Sequence, residues 1–341
     1  MTGPALEVLD GGLLTTVQDA GRPDWTHLGV PASGAADPWS LAVANLLVGN
    51  DPGRAALEMT LVGPTLVVRG AITVGLAGAD LGARIRDGRR LAPGRSHRLG
   101  AGDFVEIPGD SRSLPSTGAR AYLAVPGGVD VPLVLGSRST CLAGGFGGLD
   151  GRALRLGDGI WPALAAAAGS APVGAVRPEL VWPEADGADR FDAVVTPATL
   201  RVVVGPAPGL DALGTIDWRV GTAANRVGIR LDGEPLPDGI GGETTTHGVP
   251  WGAIQVPPDG RPIILGADHQ TTGGYRVVAV VISADLAVLG QLRPGASLRL
   301  VAVDRPAALR ALRARRDALS AGAAALRDAA GWDALIDSAG G

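Results

Sequence analysis

W-G-A-I-Q-V-P-P-D-G-R-P-I-I-L-G-A-D-H-Q-T-T-G-G-Y-R, residues 251 to 276, sets the pattern for the whole chain. An apolar run, Ile263, Ile264 and Leu265, gives way to six small or polar residues: Asp268, His269, Gln270, Thr271, Thr272 and Gly273. A second β-like run, Val277 to Ile282, follows at once. Short β-branched runs bounded by Gly and Pro predict strands rather than helices. A carboxylate, an imidazole, an amide and two hydroxyls between core strands cost free energy unless they meet solvent, a ligand or one another. The stretch is either a satisfied hairpin loop or a site.

The same punctuation runs outward in both directions. Runs at Leu13–Val17, Thr65–Val68, Ile72–Leu76, Phe104–Ile107, Ala121–Val125 and Val131–Leu135 make one β block. Runs at Leu200–Val204, Val227–Leu231, Ile254–Val256, Ile263–Leu265, Val277–Ile282 and Leu298–Val303 make a second. Between them, residues 161–195 are rich in Ala, Pro, Gly and acids and read as a linker. Asp37 and Pro38 open a helix that continues to Gly49-Asn50, by the preference for Asp at the cap and Pro in the first turn. Asp304 and Pro306 open another, with Leu309, Leu312 and Leu319 on one face among Arg and Ala. The expected organisation is an all-β block over 1–160, the linker over 161–195, a second β block over 196–303 and a helical tail over 304–341.

Composition excludes several function classes. The 341 residues are long enough for two compact cores. A net charge of −4 gives no basic footprint for nucleic acid. The single cysteine, Cys141, forms no disulfide framework and is expected to be a small buried residue. His27, His97, His247 and His269 show no ligand spacing, so no metal site is expected. The N-terminus lacks a basic stretch followed by an apolar one, and no apolar run approaches a membrane span, so a cytoplasmic protein is expected. Every basic residue is Arg, and no Lys occurs. A lysine phosphate loop, a Schiff base and a lysine-tethered cofactor are therefore impossible on these residues.

Each β block carries polar, Gly-bearing segments. Residues 15–25, T-T-V-Q-D-A-G-R-P-D-W, crowd Gln18, Asp19 and Arg22 around a turn at Ala20-Gly21. Arg and Asp at such a turn either pair across it or form a donor fork for a carboxylate beside a proton-handling group. G-G-F-G-G at 144–148 is a flexible loop, because no helical pattern follows it.

The segments T-V-Q-D-A-G-R-P (16–23), G-V-P-A-S-G-A-A-D (29–37), A-N-L-L-V-G-N (44–50), Y-L-A-V-P-G-G-V-D-V-P (122–132), L-G-S-R-S-T (135–140) and residues 252–275 strongly resemble the biotin-dependent carboxyltransferase family. That family is also described as allophanate hydrolase subunit 2, as the C-type subunit of 5-oxoprolinase, or as the carboxyltransferase region of urea carboxylase. The resemblance implies two cyclophilin-like β-barrel subdomains with a few short helices. It also implies a smaller partner resembling the B-type 5-oxoprolinase subunit, joined by a lactam-utilisation protein or by a biotin carboxylase and carrier. The activity implied first is ATP-dependent opening of 5-oxoproline to glutamate by a multi-protein hydrolase. The alternatives are carboxyl transfer from carboxybiotin on another chain to a urea-like nitrogen, and non-catalytic antagonism of a kinase-inhibitor protein.

On the matching positions, the resemblance implies Asp268 or Asp19 as base, with Gln270 and Thr271 beside them. Arg22 or Arg138 would hold an anion. Gln18, Gln255, Thr272, Asn225 and Arg226 would bind substrate, with the backbone N–H groups of Gly273 and Gly274, or of Gly127 and Gly128, as oxyanion donors. The chain departs from the family at His269, where an Arg is usual. It departs again at A-N-R-V-G (224–228), which lacks a leading hydroxyl, and at G-P-A-P-G-L (205–210), which lacks Gln and Phe.

Overall fold

The computed structural model describes residues 3–109, 118–163, 197–205 and 211–339, with 327–339 described by backbone alone. The expected linker thus lies outside the described residues beyond 163, as do residues 206–210. The chain divides into two compact units. One comprises Met1–Gly21, Pro38–Ala185 and Arg316–Gly341, and the other Arg22–Asp37 and Asp186–Arg315.

In the first unit, β1 (Leu6–Asp10), β4 (Thr65–Val68), β6 (Arg84–Ile85), β8 (Phe104–Glu106) and β10 (Gly159–Ile160) form one sheet, in the order β10-β1-β4-β8-β6. A second sheet has the order β2-β3-β9-β5-β7, with β2 at Thr15–Gln18, β3 at Ala56–Thr60, β5 at Ile72–Gly78, β7 at Arg95–Leu99 and β9 at Arg120–Ala124. Alternate residues of both sheets, including Leu6, Val8, Leu66, Val105, Leu57, Met59, Val74 and Leu123, share one apolar core. The helix Pro38–Leu46 begins where the Asp37-Pro38 pair predicts, and Trp39 to Asn45 are all buried. It lies so close to β5 that a Cβ on Gly75 would meet the Ala44 carbonyl oxygen at 2.2 Å.

One expected strand is absent. Val131–Leu135 is a loop with a single bridge between Val134 and Ser137, and Leu135 has φ 53°. Pro132 supplies no ladder donor there, and Leu133 is exposed. Cys141 is buried.

The second unit is a closed barrel. Its strands are β11 (Ala198–Val204), β12 (Trp218–Val220), β13 (Gly228–Asp232), β14 (Glu243–Gly248), β15 (Ala253–Val256), β16 (Ile263–Leu265), β17 (Thr272–Val281) and β18 (Ser297–Ala302). The order β11-β18-β12-β13-β16-β15-β17 returns to β11, so seven strands close the ring and β14 hangs from β17. Alternation then sorts the side chains. Leu200, Val202, Trp218, Val220, Ile229, Leu231, Ile254, Val256, Ile264, Val278, Leu298 and Leu300 fill the interior. Their neighbours in sequence, among them Arg230, Gln255 and Leu265, belong to the outer wall. The helix Arg305–Ala339 is capped as the sequence predicts, with the Ala307 N–H donating to Asp304 Oδ1 at 2.7 Å. No helix among the described residues is long and apolar enough to cross a membrane.

Residues 22–37 belong to the barrel unit, although their neighbours on both sides in the chain belong to the other. Gln291, at the end of the helix Leu286–Gln291, donates through Nε2 to Asp37 Oδ2 at 2.7 Å. One residue earlier, the absent side chain of Gly290 makes room: a Cβ there would lie 2.1 Å from the Ala36 carbonyl oxygen. Gly290→Ala is expected to lower stability by about 2–3 kcal/mol, as overpacking against backbone does. Gly248→Ala, whose Cβ would find nothing nearer than 4.0 Å, is the control. Urea denaturation of both variants checks this, and equal midpoints would show that the close approach has no energetic weight.

Candidate functional site

The polar stretch singled out in the sequence is not a hairpin tip. β16 and β17 are not paired; β15 lies between them. Thr272 and Gly273 are already strand, in register with Gly248 and His247 of β14. The connection proper is 266–271, and backbone hydrogen bonds pin it to the loop before β13. The Gly266 N–H donates to the Val227 carbonyl and the Asp268 N–H to the Arg226 carbonyl, each at 2.9 Å. A Cβ on Gly266 would fall 2.3 Å from the Arg226 carbonyl oxygen, so glycine is required for that approach.

Inside this connection Asp268 meets Arg226 in a two-pronged ion pair. Nε donates to Oδ2 at 2.7 Å and Nη2 to Oδ1 at 2.9 Å, with both side chains about 3% exposed. Nη2 also donates to the Gly34 carbonyl at 2.7 Å, which ties in residues 22–37. The sequence expectation made Asp268 a proton acceptor. A carboxylate held by both prongs of a buried guanidinium is instead an anchor, because removing its charge would strand Arg226. His269 is also buried, its Nδ1 2.6 Å from the Gln270 carbonyl oxygen. Burial pushes its pKa below the usual imidazole value, against the raising effects of that carbonyl and of the Asp268 charge.

Asp19, in the other unit, has an analogous anchoring task. Oδ1 accepts from the Gly21 N–H and from the Ser137 and Ser139 hydroxyls, and Oδ2 accepts from the Arg138 N–H at 2.6 Å. Arg138 spends Nε on the Val131 carbonyl at 2.8 Å, and its Nη2 lies 3.6 Å from Asp130. Gln18 is buried and donates to Thr16 Oγ1 and the Thr140 carbonyl. The N–H groups of Gly127 and Gly128 are committed as well. Gly127 donates to Asn50 Oδ1 at 2.7 Å and Gly128 to the Val125 carbonyl at 2.9 Å, so neither serves as an oxyanion donor in this conformation. Asn50 in turn donates to Asn45 Oδ1 and to the Val125 carbonyl, which gives both asparagines of A-N-L-L-V-G-N a structural task. Arg22 belongs to the barrel unit, 2% exposed, with its N–H on the Ala32 carbonyl.

A cavity of about 260 Å³ lies on the outer wall of the barrel. Asn225, Gln255 and Gln270 line it, all three named from the sequence, together with Arg230 and Tyr275, which were not, and apolar walls that include Ile263 and Leu265. Gln255 is 2% exposed and makes only long contacts, Nε2 to the Tyr275 carbonyl and Oε1 from Gln270 Nε2, each at 3.4 Å. Its Nε2 lies 2.4 Å from where a Cβ on Gly273 would stand. Asn225 accepts from the Val227 and Gly228 N–H groups through Oδ1, closing the turn into β13. Thr271 contributes its carbonyl to the Val249 N–H. Loosely held carboxamides beside apolar walls suit a small ligand bearing an amide or ureido edge, which supplies one donor and one acceptor to each.

Residues 28–302 match the family described as carboxyltransferase domain, subdomain A and B. The C-type subunit of 5-oxoprolinase from Escherichia coli (strain K12) is 36% identical over 90% of this chain and 94% of its own length. The urea amidolyase of Lachancea kluyveri is 33% identical over 92% of this chain but only 18% of its own. Among solved structures, the urea carboxylase of Kluyveromyces lactis is similar with a TM-score of 0.81 and 28% identity, over 94% of this chain and 29% of that one. The chain therefore spans less than a third of either urea-processing protein.

Removing one arm of the buried fork, as in Asp268→Asn or Arg226→Met, is expected to cost about 3–5 kcal/mol, and Arg226→Met/Asp268→Leu less than the two single losses together. Chemical denaturation of the three variants checks this. Protonation adds a second expectation. His269 and His97, whose pKa burial also lowers, are neutral in the fold and bind protons more readily when unfolded. Their contribution is complete above the unfolded value of about 6.5 and declines as pH falls below it. His269→Gln should flatten the melting-temperature profile below about pH 6.5, and an unchanged slope would exclude His269 as a source.

Proposed function

The chain belongs to the carboxyltransferase domain family of subdomain A and B type, and we propose that it is the lactam-binding component of an ATP-dependent 5-oxoprolinase. The observation that carries this reading is the end-to-end correspondence with the C-type 5-oxoprolinase subunit, over 94% of that protein. The cavity agrees with it chemically. A lactam presents one N–H and one carbonyl on adjacent atoms, the complement of a primary carboxamide. Gln255 and Gln270 each offer both, and their mutual 3.4 Å contact is weak enough for a ligand to replace. The ring methylenes would lie against Ile263 and Leu265.

Water adds across the ring amide in that reaction, the C–N bond breaks, and the nitrogen leaves as the amine of glutamate. The residues at the cavity bind and orient; they include no Asp, Glu or His to move the proton. With no Lys there can be no Walker-type phosphate loop on these residues, so the ATP chemistry and the proton transfer fall to partner subunits, including a smaller chain of the B type. The work of the complex is expected to be cytoplasmic.

A second reading is carboxyl transfer, favoured by the TM-score of 0.81 with urea carboxylase. The donor set fits biotin: its ureido ring has the same N–H and carbonyl edge as a lactam, and Gln255 and Gln270 would hold it. Bound carboxybiotin supplies an activated carboxyl group. Its lysine tether would be attached outside these 341 residues, which contain no Lys.

Co-purification with the smaller partner and a lactam-utilisation protein, followed by ATP-dependent turnover of 5-oxoproline and of urea, separates the readings. Gln255→Leu and Gln270→Leu should each lower kcat/KM for 5-oxoproline by about 10–100-fold, the cost of leaving a substrate amide unpaired, with the melting temperature nearly unchanged. Wild-type turnover in both variants would remove the cavity from the reaction. Turnover of urea alone, dependent on a biotin carboxylase and carrier, would transfer the assignment to carboxyl transfer.

A further inference from the structure

The cavity on the barrel wall holds one ionic group that neither motif nor resemblance singled out. On β13, Ile229 and Leu231 point into the barrel core, so alternation turns Arg230 outward, into the wall that lines the cavity. Among the lining residues Arg230 is the only charged one, and no Asp or Glu shares the lining. Its guanidinium has no hydrogen-bond or ion-pair partner among the described residues.

Elsewhere in the chain three arginines hold a carboxylate with two nitrogens. Arg152 grips Asp158 through Nη1 and Nη2 at 2.7 and 2.9 Å. Arg201 grips Asp285 through Nε and Nη2 at 3.0 and 2.6 Å. Arg226 grips Asp268 in the same way. In each case both carboxylate oxygens are taken, as the fork of a guanidinium permits. Arg230 is exposed, holds no carboxylate among the described residues, and lies beside the carboxamides of Asn225, Gln255 and Gln270 and an aliphatic wall.

We infer that Arg230 receives the carboxylate of the ligand, and that the cavity selects amides carrying a carboxylate over neutral amides. This deepens the lactam-binding reading above and rests on it for the identity of the amide. The division of labour is electrostatic: Gln255 and Gln270 recognise a dipolar edge that every lactam and ureide shares, while Arg230 reads the single negative charge that distinguishes the acid from its neutral analogue. Phosphate esters satisfy an arginine too, and they are an arm of the test.

Isothermal titration of the full chain with 5-oxoproline, 2-pyrrolidinone, propanoate and inorganic phosphate, in the wild type and in Arg230→Gln and Arg230→Lys, decides the matter. The expected result is 5-oxoproline binding weakened about tenfold or more in Arg230→Gln and partly restored in Arg230→Lys, with 2-pyrrolidinone binding unchanged in all three. Equal affinity of wild type and Arg230→Gln for 5-oxoproline overturns the inference. If the wild type binds propanoate in an Arg230-dependent way and neither lactam, the lactam reading fails and the carboxylate site stands. If only phosphate shows Arg230 dependence, or no ligand does, the carboxylate site falls. Circular dichroism of each variant shows that the barrel is intact, as expected for an exposed side chain outside the core.

Discussion

The buried fork between Arg226 and Asp268 is the constraint on which the barrel unit's site depends. Two charges about 3% exposed lose most of their hydration, a cost of several kcal/mol per ion that only matched geometry offsets. Both prongs of the guanidinium are engaged, and Nη2 carries a further bond to the Gly34 carbonyl. The pair thus contributes position more than net stability. It fixes the 266–271 connection at one end, holds residues 22–37 at the other, and leaves Gln270 at the mouth of the cavity.

That arrangement reverses the roles a chemist first gives these residues. The carboxylates of highest apparent promise, Asp19 and Asp268, are structural centres that gather donors around them. The uncharged amides, which look like loop decoration in the sequence, line the cavity instead, with Gln270 exposed and Gln255 buried behind it on long contacts. The same holds for glycine. Gly266 matters for the Cβ it lacks, since that space is where the Arg226 carbonyl sits. Carboxamides and one guanidinium are groups that bind and orient, and among the residues lining the cavity none is a carboxylate or imidazole that could move a proton.

Much of the fold was legible because period-two alternation and turn residues speak directly of strands. β4 was read to the residue from Thr65–Val68, and both long helices were located from an Asp-Pro start and an Asp cap. Strands short of apolar residues were not legible. β7, Arg-Ser-His-Arg-Leu, and β14, Glu-Thr-Thr-Thr-His-Gly, look like loops in isolation and are strands because neighbours pair with them. Val131–Leu135 failed the other way, apolar enough for a strand but broken by Pro132. The candidate site was half legible. Gln255, Gln270 and Asn225 lie in motifs, but Arg230 is marked only by its register on β13, which no local pattern reveals. That Arg226 and Asp268 would neutralise each other across 42 residues was equally beyond reach.

Residues 22–37 leave the ribosome early, yet what holds them is made late. The Gly34 carbonyl waits 192 residues for Arg226, and Asp37 waits 254 for Gln291. At about 5–20 residues per second, the second interval is on the order of 10–50 s. The barrel has the same difficulty, since its first strand, β11, closes the ring only by pairing with its last two, β17 and β18. During that interval the nascent chain exposes an unpaired strand and an undocked loop, and contacts so distant in sequence form slowly. Co-translational folding of this molecule is therefore obliged to finish from the far end, and a chaperone that shields the early segment has a defined time in which to act.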